Sequence, residues 1–269
     1  MILPSFLEYS AESLEQKIDK ILVNYDKFQK IVNLEKKSQN VEITEKIENL
    51  ELAENSFEKN SGEILGKDDK KVKKTWSLHL DFVLEQFAKD RFVMKSLGLD
   101  SVFSIFEKKM RNQKLNLTVH LMGENEDWQD AFNFWQQFKI PQNWQIQLFV
   151  PSKMTKLFTF EKPNLATFQW LDLGDWEDAK ELENEIENLD ETLGNPKKTP
   201  KKFLLMTVKA GLSGQIMTVE TKNKAVEMVK NNPKVDFILD GGWRVQDQQI
   251  FSNFQNVNLV SYSSFWKNI

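Results

Sequence analysis

At 269 residues the chain can hold one large α/β domain but not two, since (β/α)8 barrels commonly take about 250 residues. Its 36 basic and 40 acidic residues leave a net charge of −4, without the basic excess that nucleic-acid binding calls for. There is no cysteine, which excludes disulfides, thiolate metal sites and a cysteine nucleophile, so any metal must be held by His, Asp or Glu. No apolar run approaches the roughly 18 residues that span a bilayer, and Met1 to Ser10 lacks a basic-then-apolar secretory pattern. A soluble, cytoplasmic protein with a small-molecule partner is expected, and homo-oligomerisation is left open. The 20 Phe and 8 Trp read mainly as core filling.

Ile2 to Glu8 reads as a first strand, and Ser10 to Ser13 start a helix whose apolar face is Leu14, Ile18, Ile21 and Leu22. Between the first helix and the second strand, from about Tyr25 to Lys74, the chain turns to Glu, Lys, Asn and Ser and ends in Lys67 to Lys71, too long for an ordinary connection in a βα repeat. It reads as a charged insertion (25–74), helical around Val41 to Phe57 and otherwise disordered. Strand two, Trp76 to Leu84, precedes a predicted helix from about Phe92 to Gln113, with Phe103, Phe106 and Met110 on one face. Strand three, Leu117 to Met122, precedes a helix over Trp128 to Phe138. Strand four is Trp144 to Val150, followed by a short helix over Pro151 to Phe160 and strand five at Ala166 to Leu173. An acidic helix, Trp176 to Leu193, stops at Gly194 Asn195 Pro196. Strand six, Phe203 to Val208, runs into the loop Lys209 to Gln215 and a helix over Thr221 to Asn231. Strand seven is Val235 to Asp240, then a helix over Val245 to Phe254 and strand eight at Asn258 to Tyr262. This alternation predicts a single (β/α)8 TIM barrel over residues 1–269, with the eighth helix truncated or missing and the catalytic groups at the C-terminal strand ends.

Three strand ends carry metal-binding side chains. In Trp76 Ser77 Leu78 His79 Leu80 Asp81 Phe82 the two-residue period sends His79 and Asp81 out of the same face. The second of only two histidines, His120, lies in a matching strand, and strand seven ends on Asp240 before Gly241 and Gly242. A lone strand histidine is more often a hydrogen-bonded core residue, and an aspartate before two glycines more often starts a turn. Both histidines falling at strand positions with carboxylate company favours His79, Asp81, His120 and Asp240 as ligands of one divalent cation, Zn, Fe, Mn or Co.

The motifs HLD at 79–81, HLM at 120–122, LLMTVKAGLSGQ at 204–215 and LDGG at 239–242 stand in the order found in ribulose-phosphate 3-epimerases, where they read HxD, HLM, MTVxPGFGGQ and VDGG. Ile2 to Leu7, with Pro4 before Ser5, also resembles that family's first strand, and the similarity covers most of the chain outside roughly 25–75. The resemblance implies a metal-dependent epimerase that interconverts ribulose 5-phosphate and xylulose 5-phosphate. Asp81 and Asp240 would carry protons on opposite faces of the substrate, while the metal stabilises the enediolate oxygens. Ser5 becomes a substrate or water contact instead of a merely buried hydroxyl. Met122 and Met206, otherwise core residues, would line the site. Gly211, Gly214, Gln215, Gly241, Gly242 and Ser263 would belong to the phosphate cup.

The chain departs from that pattern in three places. Val83 and Leu84 stand where the family carries a methionine and a second aspartate. The phosphate loop, Ala210 to Gln215, keeps two glycines but lacks the proline and a third glycine, and Tyr262 stands where a glycine precedes the serine. A phosphate site rebuilt around side chains is expected, with Arg244 as anion partner; the plainer reading has Arg244 capping a solvated helix start. Two rival expectations follow: an epimerase for a related ketose phosphate, and a catalytically weakened barrel kept as a binding or interaction protein.

Overall fold

Strand side chains alternate between two environments, and in this protein both are apolar. In the computed structural model, which describes residues 2–24, 75–173, 202–212, 214–243, 247–251 and 254–261, eight parallel strands close into a barrel in sequence order. They are β1 (Ile2–Phe6), β2 (Thr75–Val83), β3 (Lys114–Met122), β4 (Trp144–Pro151), β5 (Leu165–Asp172), β6 (Lys202–Met206), β7 (Asp236–Asp240) and β8 (Val257–Ser261). The ring closes where Leu3 of β1 meets Val260 of β8. One set of alternate residues, including Leu3, Val83, Met122, Trp170, Met206 and Ile238, packs together inside the barrel. The other set packs outward under the helices: Leu78, Leu80 and Phe82 with Phe103 and Phe106 in one cluster, and Phe203, Leu205, Phe237 and Leu239 with Val229 in another. Parallel strands buried on both faces need this near-continuous hydrophobicity.

The described α-helices are α1 (Ala11–Val23), α2 (Glu85–Arg91), α3 (Leu99–Met110), α4 (Asp127–Gln137), α5 (Val219–Asn231) and α6 (Gln248–Phe251). Ser10 caps α1 by accepting from Ser13 N–H, and Thr218 caps α5 by accepting from Thr221 N–H, each as a short polar N-cap does.

The helix expected over Phe92 to Gln113 begins only at Leu99, as α3, and an unexpected short helix, α2, precedes it. Helix α2 starts straight after β2 because the Asp127 carboxylate accepts from Gln86 N–H at 2.9 Å and Phe87 N–H at 3.0 Å. It ends at Phe92, which takes a left-handed conformation (φ 55°), while Val93 N–H returns to Ala88 O at 3.0 Å. Ser96 and Leu97 then bond the backbone of Val83 and Glu8, which holds residues 92–98 out of the helix before α3 begins. The short helix expected over Pro151 to Phe160 is a single 3-10 turn, Ser152–Met154. The chain turns back because Phe158 is buried and its carbonyl accepts from the Thr167 hydroxyl. The insertion at 25–74, the acidic helix at 176–193 and the expected eighth-helix region lie outside the described residues. Among the described residues no helix is long and apolar enough to cross a membrane.

Candidate metal centre

The inward phase of β2 and β3 and the end of β7 put four polar side chains in one layer of the barrel. Asp81 is in register with His120, His79 with Ser5, and Asp240 with Met206. His79 Nε2 lies 3.0 Å from Asp81 Oδ1 and 3.3 Å from Asp240 Oδ2. His120 Nδ1 lies 3.1 Å and 3.4 Å from the same two oxygens. Both imidazoles are wholly buried, while the Asp81 and Asp240 side chains keep 10% and 9% exposure, so the carboxylates face the mouth and the rings lie beneath them.

Four donor atoms, two nitrogens and two oxygens, thus lie within 4.8 Å of one another. A tetrahedral ion bound at about 2.1 Å holds its ligands about 3.4 Å apart, and the four nitrogen-to-oxygen spacings measured here fall near that value. Among the described residues Asp240 Oδ2 is buried without a hydrogen-bond partner, despite its two imidazole neighbours. A cation among the four donors would satisfy it, so the residues fit a divalent metal, and the mixed imidazole and carboxylate set suits a borderline ion.

Electrostatics say the same. Burial pulls the His79 pKa down, but the charges of Asp81 and Asp240, the hydrogen bond to Asp81 and the close approach of Asp240 outweigh burial and push it up to about 10. His120 is raised by the same opposition of burial and carboxylate contacts. Burial would raise Asp81, yet the His79 charge and hydrogen bonds from both histidines hold it well below the usual carboxylate range. The cluster is built to be filled by positive charge, from protons or from a metal.

Around this centre the structure gathers several of the expected residues. The Ser5 hydroxyl donates to Asp81 Oδ2 at 2.6 Å, orienting the carboxylate from the side opposite the histidines. Met122 and Met206 are buried in the barrel interior beside it. Gly241 and Gly242 follow Asp240 with φ 102° and 71°, and a Cβ on Gly242 would stand 2.6 Å from Met217 N, so the loop after β6 leans directly on the end of β7. Thr207 reinforces this, its N–H and hydroxyl both donating to Asp240 O at 2.7 and 2.9 Å. Gly211 lies against Val93 and Phe87 from the segment after β2, whereas nothing stands within 4 Å of a Cβ on Gly214. The Gln215 amide donates to Lys209 O and Leu212 O, which closes the loop on itself instead of pointing to the centre. Arg244 and Ser263 lie outside the described residues.

Sequence reasoning missed Trp170. Its ring packs against His120, centroids 4.9 Å apart at 71°, and its indole N–H donates to Leu121 O at 2.9 Å. The available signal was its inward phase with Phe168, two residues earlier on β5. No protein-family model and no curated protein matches the chain, so the functional reading rests on this geometry and on the motifs.

Proposed function

We propose that this chain is a metal-dependent epimerase of a phosphorylated ketose, like ribulose-phosphate 3-epimerase, interconverting ribulose 5-phosphate and xylulose 5-phosphate. The observation that carries the reading is the pair Asp81 and Asp240. They come from strands that are not neighbours, yet both reach the same two imidazole nitrogens at the C-terminal end of the barrel. Inverting a carbon beside a carbonyl needs one group to take the proton from one face and another to return it to the opposite face.

Asp81, kept ionised by its histidine neighbours and oriented by Ser5, is suited to act as base. Asp240 supplies the second carboxylate. His79, Asp81, His120 and Asp240 would hold the cation, which when bound supplies positive charge to stabilise negative charge developing on the substrate's oxygens. Met122 and Met206 contribute an apolar, water-excluding wall.

One observation favours the rival, a catalytically weakened barrel that binds without turnover. Val83 is fully buried among apolar side chains and Leu84 starts α2 without a side-chain cap, so neither position after Asp81 on β2 supplies a second carboxylate.

The deciding experiment is incubation with ribulose 5-phosphate in D2O. The expected result is xylulose 5-phosphate carrying deuterium at the inverted carbon, lost on chelation and restored by Zn2+, Mn2+, Fe2+ or Co2+. Asp81→Asn and Asp240→Asn should each abolish the exchange, because an amide cannot accept the proton. Deuterium incorporation that survives both changes sinks the two-carboxylate mechanism. No turnover by the parent protein favours the rival, and turnover only of another ketose phosphate moves the substrate.

A further inference from the structure

Strand β4 ends in a proline inside a closed barrel, where every strand has a neighbour on both sides. Backbone N–H and C=O groups alternate direction along a strand, and three bonds fix the phase. Leu115 N–H of β3 donates to Asn143 O, Ile146 N–H of β4 donates to Asn164 O on the β5 side, and Leu84 N–H donates to Met122 O on the β2 side. Counting by twos from Asn143 brings position 151 to face β3, and counting by twos from Leu115 brings Leu121 to face β4. In the β3–β4 register, which runs to His120 opposite Phe149, the amide that would reach Leu121 O is that of Pro151. Proline has no N–H, so the ladder place is empty.

Trp170 fills it. Paired with Pro151 on β5, it extends its indole across β4 and donates to Leu121 O at 2.9 Å in a buried bond. The same ring lies against the His120 imidazole. Among the described residues, His120 Nε2, the nitrogen facing away from the carboxylates, is buried without a hydrogen-bond partner. A metal-binding histidine is ordinarily steered by a hydrogen bond to its far nitrogen, and none of the described residues supplies one here.

We propose that Trp170 is a positioning residue of the metal centre. Its indole replaces the ladder donor that Pro151 lacks, holds the end of β3, and keeps the His120 ring turned so that Nδ1 faces Asp81 and Asp240. The consequence for metal binding rests on the reading of the four-residue cluster given above, whereas the bond to Leu121 does not.

The test uses the full chain, with Zn2+ affinity measured by competition against a chromogenic chelator and melting of the metal-free protein measured in parallel. Trp170→Phe keeps a ring beside His120 but removes the donor, and should weaken Zn2+ binding about ten- to hundredfold, the range for losing a group that orients a ligand. Adding Pro151→Ala to that variant returns a backbone N–H to Leu121 O and should recover most of the loss. General packing damage would not be repaired by a change on a different strand. Unchanged Zn2+ affinity in Trp170→Phe, or a double variant as weak as the single one, overturns the proposal. If the parent binds no divalent cation, the metal reading fails, and melting decides the rest: a lower Tm in Trp170→Phe restored by Pro151→Ala supports the replaced ladder bond, and an unrestored one overturns it.

Discussion

Metal entry into this centre should expel protons, and the number can be worked from the geometry. In the metal-free protein one nitrogen of each imidazole, His79 Nε2 and His120 Nδ1, sits within 3.4 Å of two carboxylate oxygens. His79 is pushed up to about 10 and so carries its proton throughout the neutral range; His120 is raised as well. A metal needs both rings neutral, so between one and two protons must leave per ion bound near pH 7. By linkage the apparent affinity then rises about 10- to 100-fold for each pH unit. Zn2+ titration calorimetry in buffers of different ionisation enthalpy reads the proton count directly. Stability in the absence of metal should run the other way. The contribution of His79 is fully present below its ordinary value of 6.5 and is lost as pH rises through about 10. That of Asp81 is present above its ordinary 3.8 and is lost as pH falls below that value toward its lower folded one. Chelated protein should therefore be most stable in mildly acidic solution, and the rise in Tm on adding metal should grow with pH. Affinity independent of pH between 6 and 8 would refute the charge arrangement described for the four residues.

Three further perturbations test the supports of the site. Ser5→Ala removes the 2.6 Å bond to Asp81 Oδ2 and should cost roughly 1–3 kcal/mol, the penalty for stranding a mostly buried acceptor; a urea midpoint equal to that of the parent would deny Ser5 this role. Asp127→Ala strips acceptors from Gln86, Phe87 and Glu124 N–H together. It should destabilise the chain by about 1–3 kcal/mol and speed amide exchange first at the start of α2, whereas loss spread evenly over the barrel would argue against a local cap. Gly242→Ala should be worse than Gly214→Ala: both have positive φ, but only at Gly242 does a Cβ meet backbone, at 2.6 Å, while Gly214 faces open space. Equal melting temperatures for the two variants would show that the loop after β6 does not lean on β7 as described.

The parts of the molecule legible in the sequence are those governed by the two-residue period. Strand phase put His79 with Asp81 on one face, and the structure brings the expected His120 and Asp240 into the same layer because all four keep the inward phase of one closed ring. The helix after β2 was misread for a different physical reason. Phe92, Val93 and Met94 look like the start of an amphipathic helix, but α2 is started by Asp127, some forty residues away, and ended by a left-handed Phe92, a residue left 96% exposed. The starting cap is not local, and no short window of sequence contains both it and the helix end. Trp170 is the sharper case. Its use depends on a donor that Pro151 lacks, on the register that sets Pro151 beside it, and on a carbonyl two strands over. Each residue alone reads as an ordinary strand end or core aromatic. The residues that hold a ligand can thus be visible in the chain while those that aim it stay hidden, because a ligand is chosen by its own chemistry and a positioning group by what its neighbours fail to provide.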